Sequence, residues 1–179
     1  MIELSTLVLT IILACLIVAS AYFSSSETAM MSLNRYRLKH LSDRKYKGAQ
    51  RVQNLLARPD RLIGLILLGN NFVNILAAMI VTILAERYLG MHGLLISSLM
   101  LTAIILVFAE VIPKTVAAIY PERVAFPSSV LLRMLMFIFY PLVWVLNKIS
   151  NGILAIFGLT NIKRSEDPLS REELRTIVK

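Results

Sequence analysis

The chain has 179 residues and a net charge of +8, and 57% of its residues are hydrophobic while only 17% are charged. This composition, with a mean hydropathy of +0.71, excludes an ordinary water-soluble domain and indicates an integral membrane protein surrounded by a lipid bilayer. The basic residues are not interleaved with an aromatic stacking platform, so we expect no nucleic-acid partner.

Three charge-free stretches each reach the roughly 20 residues that a helix needs to cross a bilayer. They cover residues 4–26, 62–85 and 88–109. We therefore predict an all-α membrane protein with transmembrane helices at about residues 4–31, 62–86 and 93–119. No positively charged residue precedes the first stretch, so we predict a retained span and not a cleaved signal peptide.

Basic residues are concentrated between the first two spans. Nine Lys or Arg residues and only two Asp residues lie between Arg35 and Arg61. Because cytoplasmic loops carry the excess of Lys and Arg, we predict that residues 32–61 form a basic cytoplasmic segment. The N-terminus and the turn at residues 86–93 are then outside, and the C-terminus is cytoplasmic.

Apolar sequence continues after the third span but is interrupted. Arg133 and Lys148 divide it into two runs of 14 residues, which are short for a span. Breaks or kinks are predicted at Pro121, Pro127, Pro141 and Gly152. We predict a short re-entrant helix pair and a juxtamembrane helix within residues 124–160. A fourth full span is the alternative, although it would place the later basic residues outside, against the charge rule.

Residues 161–179 are polar and are predicted to begin a linker. Ser170 and Glu173 have the spacing of a capping box, which predicts a helix start. The sequence reaches Lys179 inside that predicted helix, so we expect a cytoplasmic module to follow it in a longer protein.

Polar residues inside the spans fall into three groups, the first of which is a run of hydroxyls. The first span ends with Ser24, Ser25 and Ser26, and Glu27 follows them. Consecutive serines can hydrogen-bond to carbonyls of the preceding turn and bend a helix. We therefore predict local unwinding that exposes oxygen atoms there.

The other two groups add amide and carboxylate oxygens. Asn70 and Asn74 share one face of the second span, and Gly69 allows another backbone to approach. Glu110 lies at the end of the third charge-free stretch, where an ionisable residue is a functional-site hypothesis by default. Pro113 cannot donate a hydrogen bond to the carbonyl four residues before it, which leaves a free oxygen near that carboxylate.

The three groups are predicted to lie at similar depths in the membrane, given a rise of about 1.5 Å per residue. Their oxygen atoms, with no Cys or His nearby, suit Mg²⁺, Ca²⁺ or Na⁺ and not zinc or copper. Serines and asparagines inside spans also serve packing and interhelical hydrogen bonds. Glu110 has its own structural alternative, an ion pair with Lys114 one turn later, and Glu27 could instead meet the basic segment.

Three segments of the sequence carry a family resemblance. FSSSETA at residues 23–29, GNNFVN at 69–74 and FAEVIPK at 108–114 resemble the signatures of the CorC/CorB–CNNM (cyclin M) magnesium transporter family. The resemblance covers essentially the whole chain, with the motifs in order. It implies a homodimer in a bacterial inner membrane that exports Mg²⁺ from the cytoplasm, coupled to Na⁺.

The resemblance also implies which residues bind the ion. Its metal candidates are Ser24, Asn70 and Glu110, with Asn74 as a further one. Candidates for the access path or for support of the ligands are Glu27, Ser26, Gly69 and Pro113.

Full-length members of that family add a cytoplasmic pair of CBS domains that bind ATP, so an ATP site is expected only outside these residues. The alternative function is a Mg²⁺ sensor or regulatory membrane scaffold that does not itself transport. Motifs of zinc proteases and serine hydrolases are missing from the sequence, so we do not expect an enzyme.

Overall fold

The computed structural model of the protein describes residues 5–90 and 93–156, which form helices joined by short turns. In chain order these are α1 (Thr6–Ser32), α2 (Arg35–Asp43), α3 (Lys47–Leu56), α4 (Pro59–Leu89), α5 (Gly93–Ile104), a π-helical segment (Ile105–Val111), α6 (Ile112–Ile119), α7 (Pro121–Ile138) and α8 (Tyr140–Ile156). The predicted linker at residues 161–179, with its helix start at Ser170, lies outside the described residues.

Three helical stretches are long and apolar enough to cross a membrane. They are α1, α4 and a third span, Gly93–Ile119, which runs through α5, the π segment and α6. The helices α7 and α8 form a bent pair beside them. These elements confirm the predicted all-α membrane fold with three spans and a re-entrant pair, and the span limits lie within one helical turn of the predicted ones.

The predicted unwinding at the serine run is wrong, because α1 is a continuous helix from Thr6 to Ser32. Ser25 Oγ donates a hydrogen bond to the carbonyl of Tyr22 at 3.1 Å, which satisfies the hydroxyl without breaking the helix. α1 also packs against α4, the third span and α7, so it is supported on several sides. Its serine oxygens therefore lie on helix faces and not in an unwound loop.

The irregular winding occurs instead in the third span, at the π segment. The N–H of Ile112 donates to the carbonyl of Val107, five residues back. Pro113 follows directly and has no N–H with which to continue an α-helical ladder, so the wider turn lies immediately before the proline. Glu110 lies inside this segment, and its Cα is therefore displaced from the position that a regular α-helix would give it.

The basic segment folds into α2 and α3, which lie at one end of the three spans. We call this the proximal end, and the opposite end, next to the turn at Gly90, the distal end. α3 is amphipathic, with Ala49, Val52 and Leu56 buried on one face. The main hydrophobic core joins α2, α3 and α7 to the proximal ends of the spans; its members include Ala29, Met30, Leu38, Val52, Leu62, Leu65, Ile66, Ala117, Ala125, Leu132 and Val143.

α7 and α8 are bent by 77° relative to each other. Breaks lie before Pro121 and before Pro141, as predicted, because each proline lies in the first turn of a new helix. A break or a kink was predicted at Pro127 and Gly152 too; no break occurs there, since both residues lie inside continuous helices. Packing of α7 on α1 and α3 offsets the hydrogen bond that Pro127 cannot make, and the stretch from Pro121 to Ile156 contains two helices, without a third separate juxtamembrane one.

Polar contacts fasten α7 to the rest of the molecule. The Tyr22 hydroxyl donates to the carbonyl of Ser128 at 2.8 Å, which links α1 to α7. Arg51 Nε of α3 donates to Ser129 Oγ at 3.2 Å. Arg37 of α2 forms an ion pair with Glu122 at 2.6 Å. The bent pair is therefore held on the proximal part of the spans, where α7 packs on α1 and α8 packs on α4.

Candidate functional site

One residue from each span meets in a polar cluster inside the bundle. Glu110 Oε2 accepts a hydrogen bond from Ser24 Oγ at 3.1 Å, and Glu110 Oε1 accepts one from Asn70 Nδ2 at 3.2 Å. Ser24 is fully buried, and the side chain of Glu110 is 23% exposed. The structure thus brings together Ser24, Asn70 and Glu110, which the sequence suggested as neighbours.

Depth explains why these three residues can meet. Counting about 1.5 Å per residue from the proximal ends of their spans, Ser24 lies about 12 Å in, Asn70 about 16 Å and Glu110 about 13 Å. Ser24 and Asn70 belong to antiparallel neighbours, and the π segment brings Glu110 against α1. The cluster therefore lies in the proximal half of the membrane region, next to the hydrophobic core.

Ser20 extends the cluster and was not among the predicted site residues. Its Oγ donates to Asn70 Oδ1 at 3.0 Å, and its side chain is 1% exposed. Ser20 lies one helical turn before Ser24 and so shares its face of α1, a spacing visible in the sequence. The amide of Asn70 is consequently held at both ends, by Ser20 and by Glu110.

A lysine completes the cluster on its proximal side. Lys114 Nζ lies 2.9 Å from Glu110 Oε2 and 3.9 Å from Glu27 Oε2. The sequence offered this pair with Glu110 only as the structural alternative to metal binding. The geometry shows that this ion pair coexists with the hydrogen bonds from Ser24 and Asn70, because all three groups contact the carboxylate of Glu110.

Asn74 and Ser26, two further predicted residues, lie apart from these hydrogen bonds. Asn74 is one turn distal to Asn70, and its Oδ1 is buried without a hydrogen-bond partner among the described residues. Ser26 is two positions from Ser24 and therefore faces another side of α1. Its Oγ is near the Tyr22 hydroxyl but forms no hydrogen bond of good geometry with a described residue.

Gly69 and Pro113 shape the site through the backbone. A Cβ atom at Gly69 would lie 2.5 Å from Cζ of Phe23, so only glycine lets that ring pack across α4 beside the Ser24–Asn70 contact. Pro113 lies one turn after Ala109, which is fully buried, at the end of the π segment. Gly69 therefore allows the close approach of α1 and α4 at the level of the cluster, and Pro113 follows the end of the π segment that contains Glu110.

The donor set suits a hard cation. It contains the carboxylate of Glu110, the hydroxyls of Ser20 and Ser24 and the amide of Asn70, with Glu27 as a second carboxylate nearby. Within residues 5–90 and 93–156 no group of three or more His, Cys, Asp or Glu side chains comes together. Zinc and copper sites are usually built from such groups, whereas oxygen atoms of mixed type are what Mg²⁺, Ca²⁺ and Na⁺ prefer.

Comparison with protein families gives a match over nearly all of the chain. Residues 11–179 match the model described as the cyclin M transmembrane N-terminal domain. The chain belongs to this family. The family model is described as a transmembrane domain, in agreement with the three apolar spans.

Curated relatives cover most of this cyclin M domain. It is 53% identical over 159 residues to the UPF0053 inner membrane protein YfjD of Escherichia coli, a match over 89% of this chain and 37% of the relative. A UPF0053 protein of Haemophilus influenzae is 47% identical over 177 residues, which are 99% of this chain and 41% of the relative. A protein of Salmonella typhimurium named polyamine export protein is 28% identical over 93% of this chain and 40% of its own length.

The cyclin M domain therefore spans about two fifths of the length of the curated relatives that it matches. The family and the membrane fold are established by these matches together with the three apolar spans. The ion, the direction of movement and the activity of a whole protein are matters for proposal.

Proposed function

We propose that this cyclin M domain is the ion-conducting part of a transporter that exports Mg²⁺ from the cytoplasm, coupled to Na⁺. The observation that supports the proposal most is the polar contact between the three spans inside the membrane region. Ser24 of the first span and Asn70 of the second both donate hydrogen bonds to the carboxylate of Glu110 in the third. An unpaired carboxylate at that depth costs about 2.5 kcal/mol even on insertion scales, and an ionisable residue inside a span is a functional-site hypothesis by default.

Cation binding at this cluster requires one rearrangement of Asn70. Its Nδ2 faces Glu110 while Oδ1 faces Ser20. A half-turn of the amide would present Oδ1 to a cation beside Glu110, and the Ser20 hydroxyl, which can donate or accept, would then accept from Nδ2. A hydroxyl, an amide and a carboxylate oxygen would in this way face Mg²⁺ at about 2.1 Å, with water completing an octahedral shell.

The proposed transport cycle is alternating access around this cluster. Mg²⁺ approaches from the proximal, cytoplasmic side past Glu27, whose side chain is 28% exposed. The continuous α1 does not support a hinge at the serines, whereas the π segment beside Pro113 is an irregular element at the site itself. We propose that rewinding of this segment shifts Glu110 and opens the site toward the distal side.

The surroundings of the domain are part of the same proposal. The domain is a multi-pass protein of a bacterial inner membrane with its N-terminus outside and its C-terminus in the cytoplasm, and it works as a homodimer. The positive charge of α2 and α3 at the proximal end supports this orientation. The name of the Escherichia coli relative supports the location. A cytoplasmic CBS-domain pair that binds ATP would regulate the full-length protein.

A matched pair of asparagine variants tests the proposal. Asn70→Ala removes the amide that contacts Glu110, whereas Asn71→Ala removes an exposed amide of the next residue. We expect calorimetry on the full-length protein to show Mg²⁺ binding that is weakened at least about tenfold by the first change and unaltered by the second. Equal binding in both variants would remove the cluster as the Mg²⁺ site.

Flux in proteoliposomes then separates transport from sensing. Mg²⁺ release that depends on an opposing Na⁺ gradient and is lost in Asn70→Ala supports the transporter. Saturable Mg²⁺ binding without flux would instead make the domain a sensor or scaffold.

Export of an organic ammonium ion is the second candidate. The observation in its favour is that the site already accommodates a primary ammonium group, Lys114 Nζ, at 2.9 Å from Glu110. A relative named polyamine export protein matches 93% of the chain, at 28% identity. Putrescine as a competitor in the same calorimetry decides between the two, since a polyamine site would bind putrescine more tightly than Mg²⁺.

A further inference from the structure

Lys114 occupies the position where a cation would bind. Its Nζ is 2.9 Å from Glu110 Oε2, the oxygen that also accepts the Ser24 hydroxyl. Glu110 and Lys114 are four residues apart across the junction of the π segment and α6, so they face each other over one turn. The ammonium therefore satisfies the carboxylate that a transported ion would have to use.

A metal ion and the ammonium cannot share this carboxylate as it stands. Mg²⁺ requires its oxygen ligands at about 2.1 Å and a near-octahedral arrangement. Glu110 Oε2 already forms an ion pair with Lys114 and accepts a hydrogen bond from Ser24, and Oε1 accepts one from Asn70. Mg²⁺ and the Lys114 ammonium, both bound to this carboxylate, would also repel each other strongly in a partly buried site. Binding of the ion must then displace Lys114.

A second carboxylate lies close enough to pair with the displaced ammonium. Glu27 Oε2 is 3.9 Å from Lys114 Nζ, so a shift of about one ångström converts this distance into a close ion pair. Glu27 lies on α1, three residues toward the proximal end from Ser24 and so on a neighbouring part of the same face. The side chain of Lys114 is 43% exposed, which leaves it room to move.

We propose that Lys114 is a tethered counter-ion of the cation site, and that an arriving cation transfers the Lys114 ammonium from Glu110 to Glu27. This inference rests on the proposed function of the cluster as a cation site, although not on the identity of the cation. In the empty state the ammonium keeps Glu110 paired inside the membrane. Its return to Glu110 competes with the bound ion and so promotes release.

Lysine variants of the full-length protein test the exchange. Lys114→Met removes the competitor, so Mg²⁺ affinity is expected to rise about tenfold if the ammonium occupies the site for roughly nine tenths of the time. In proteoliposomes the same variant should show a lower KM with a lower turnover, because release loses its competitor. Lys114→Arg keeps the charge and should restore most of the wild-type behaviour. Lys148→Met, on α8, is the control and should change neither value.

A purely structural ion pair gives the opposite result. Lys114→Met would then leave Mg²⁺ affinity unchanged or weaken it, since Glu110 would lose the partner that orients it. That outcome, in a variant that still unfolds cooperatively, overturns the proposal.

Glu27 supplies a second and independent test. Glu27→Gln removes the receiving carboxylate, so it should weaken Mg²⁺ binding several-fold in the wild-type background and have little effect in the Lys114→Met background. Equal effects in both backgrounds would mean that Glu27 attracts cations directly and that no transfer occurs.

The cation used in these assays separates this proposal from the proposed function. Tighter binding of Na⁺ or putrescine by Lys114→Met, with no Mg²⁺ binding by any form, would overturn Mg²⁺ as the substrate and support the exchange. Binding of Mg²⁺ by the wild type with no gain in Lys114→Met would overturn the exchange alone. Lack of binding of all three cations by both forms would overturn both.

Discussion

The proximal and distal halves of the three spans have different surroundings. In the proximal half α2, α3 and α7 cover the spans, and Met30, Leu62 and Ile66 are almost fully buried. In the distal half Leu7 and Leu95 are 66% and 78% exposed on the surface of the helices. The polar cluster lies where protein surrounds it, because unpaired polar groups cost several kcal/mol in hydrocarbon.

Space between the spans differs in the same way. Distally, α1, α4 and α5 leave a groove of about 280 Å³ whose lining is largely aliphatic, including Leu13, Val81 and Leu101. Proximally, the corresponding space is filled by Glu27, Lys114 and the Glu110 cluster. The charged side chains of Glu27 and Lys114 therefore lie on the proximal side of the cluster, whereas Asn74 and Ser97 on its distal side are polar but uncharged. In the proposed transport cycle, the distal half is the barrier that has to open.

The largest predicted effect is on Mg²⁺ affinity, and it is measured by changing one carboxylate in each half. Glu110→Gln removes the charge at the cluster and should lower Mg²⁺ affinity at least about 100-fold, equivalent to about 3 kcal/mol. Glu86→Gln changes an exposed residue near the distal end and should leave affinity unchanged. Calorimetry on both variants of the full-length protein measures the difference. A similar loss in both would show that bulk charge, and not the cluster, attracts the ion.

Glycine variants give the next effect, on stability. Gly69→Ala places a methyl group 2.5 Å from the Phe23 ring and should lower the free energy of unfolding by about 1–3 kcal/mol through overpacking. Gly152→Ala adds a methyl group where no atom lies within 4 Å and should stabilise α8 by up to about 1 kcal/mol. Thermal unfolding of the two variants in the same detergent gives opposite shifts of Tm. A neutral Gly69→Ala would mean that the α1–α4 spacing is loose at the site.

The sequence was sufficient for the spans and for the meeting of Ser24, Asn70 and Glu110, for a simple reason. Hydropathy and length determine a span almost alone in a membrane, and equal depth places Ser24, Asn70 and Glu110 at one level. The winding of the backbone was not predictable in the same way. A serine run and a proline each weaken a helix, and only the packing around α1 and the third span decides that α1 stays regular while residues 105–111 widen into a π helix.

The role of Lys114 was equally undetermined by spacing. A lysine one turn after a glutamate can point to solvent, to that glutamate or to another helix, and its long side chain has many rotamers. The contact with Glu27, 87 positions earlier in the chain, exists only because α1 packs on α6. Ser20 was missed for a different reason. A single serine in a span commonly serves helix packing, so the sequence does not show that this one forms a specific hydrogen bond with another span.

Two serines in the different halves give a smaller effect. Ser20→Ala leaves Asn70 Oδ1 without its donor and should cost about 1 kcal/mol of stability and a few-fold in Mg²⁺ affinity. Ser98→Ala removes an exposed hydroxyl that bonds to the carbonyl of Leu94 in its own helix and should be neutral within about 0.5 kcal/mol. Unfolding and calorimetry on the pair measure both quantities. If Ser20→Ala changed stability but not affinity, the orientation of the Asn70 amide would be irrelevant to binding.

A change at Ser97 has the smallest expected effect on stability and Mg²⁺ affinity. It tests whether the distal half takes part in transport at all. Ser97 is one of the few polar residues that line the distal groove. Because Ser97 lies about 20 Å along the span from Glu110, Ser97→Ala should change stability by less than about 0.5 kcal/mol and leave Mg²⁺ affinity within twofold. Flux through proteoliposomes is the decisive measurement. Unchanged binding with reduced flux would place Ser97 on the exit path and show that the distal half, apolar as it is here, becomes part of the route when the site opens outward.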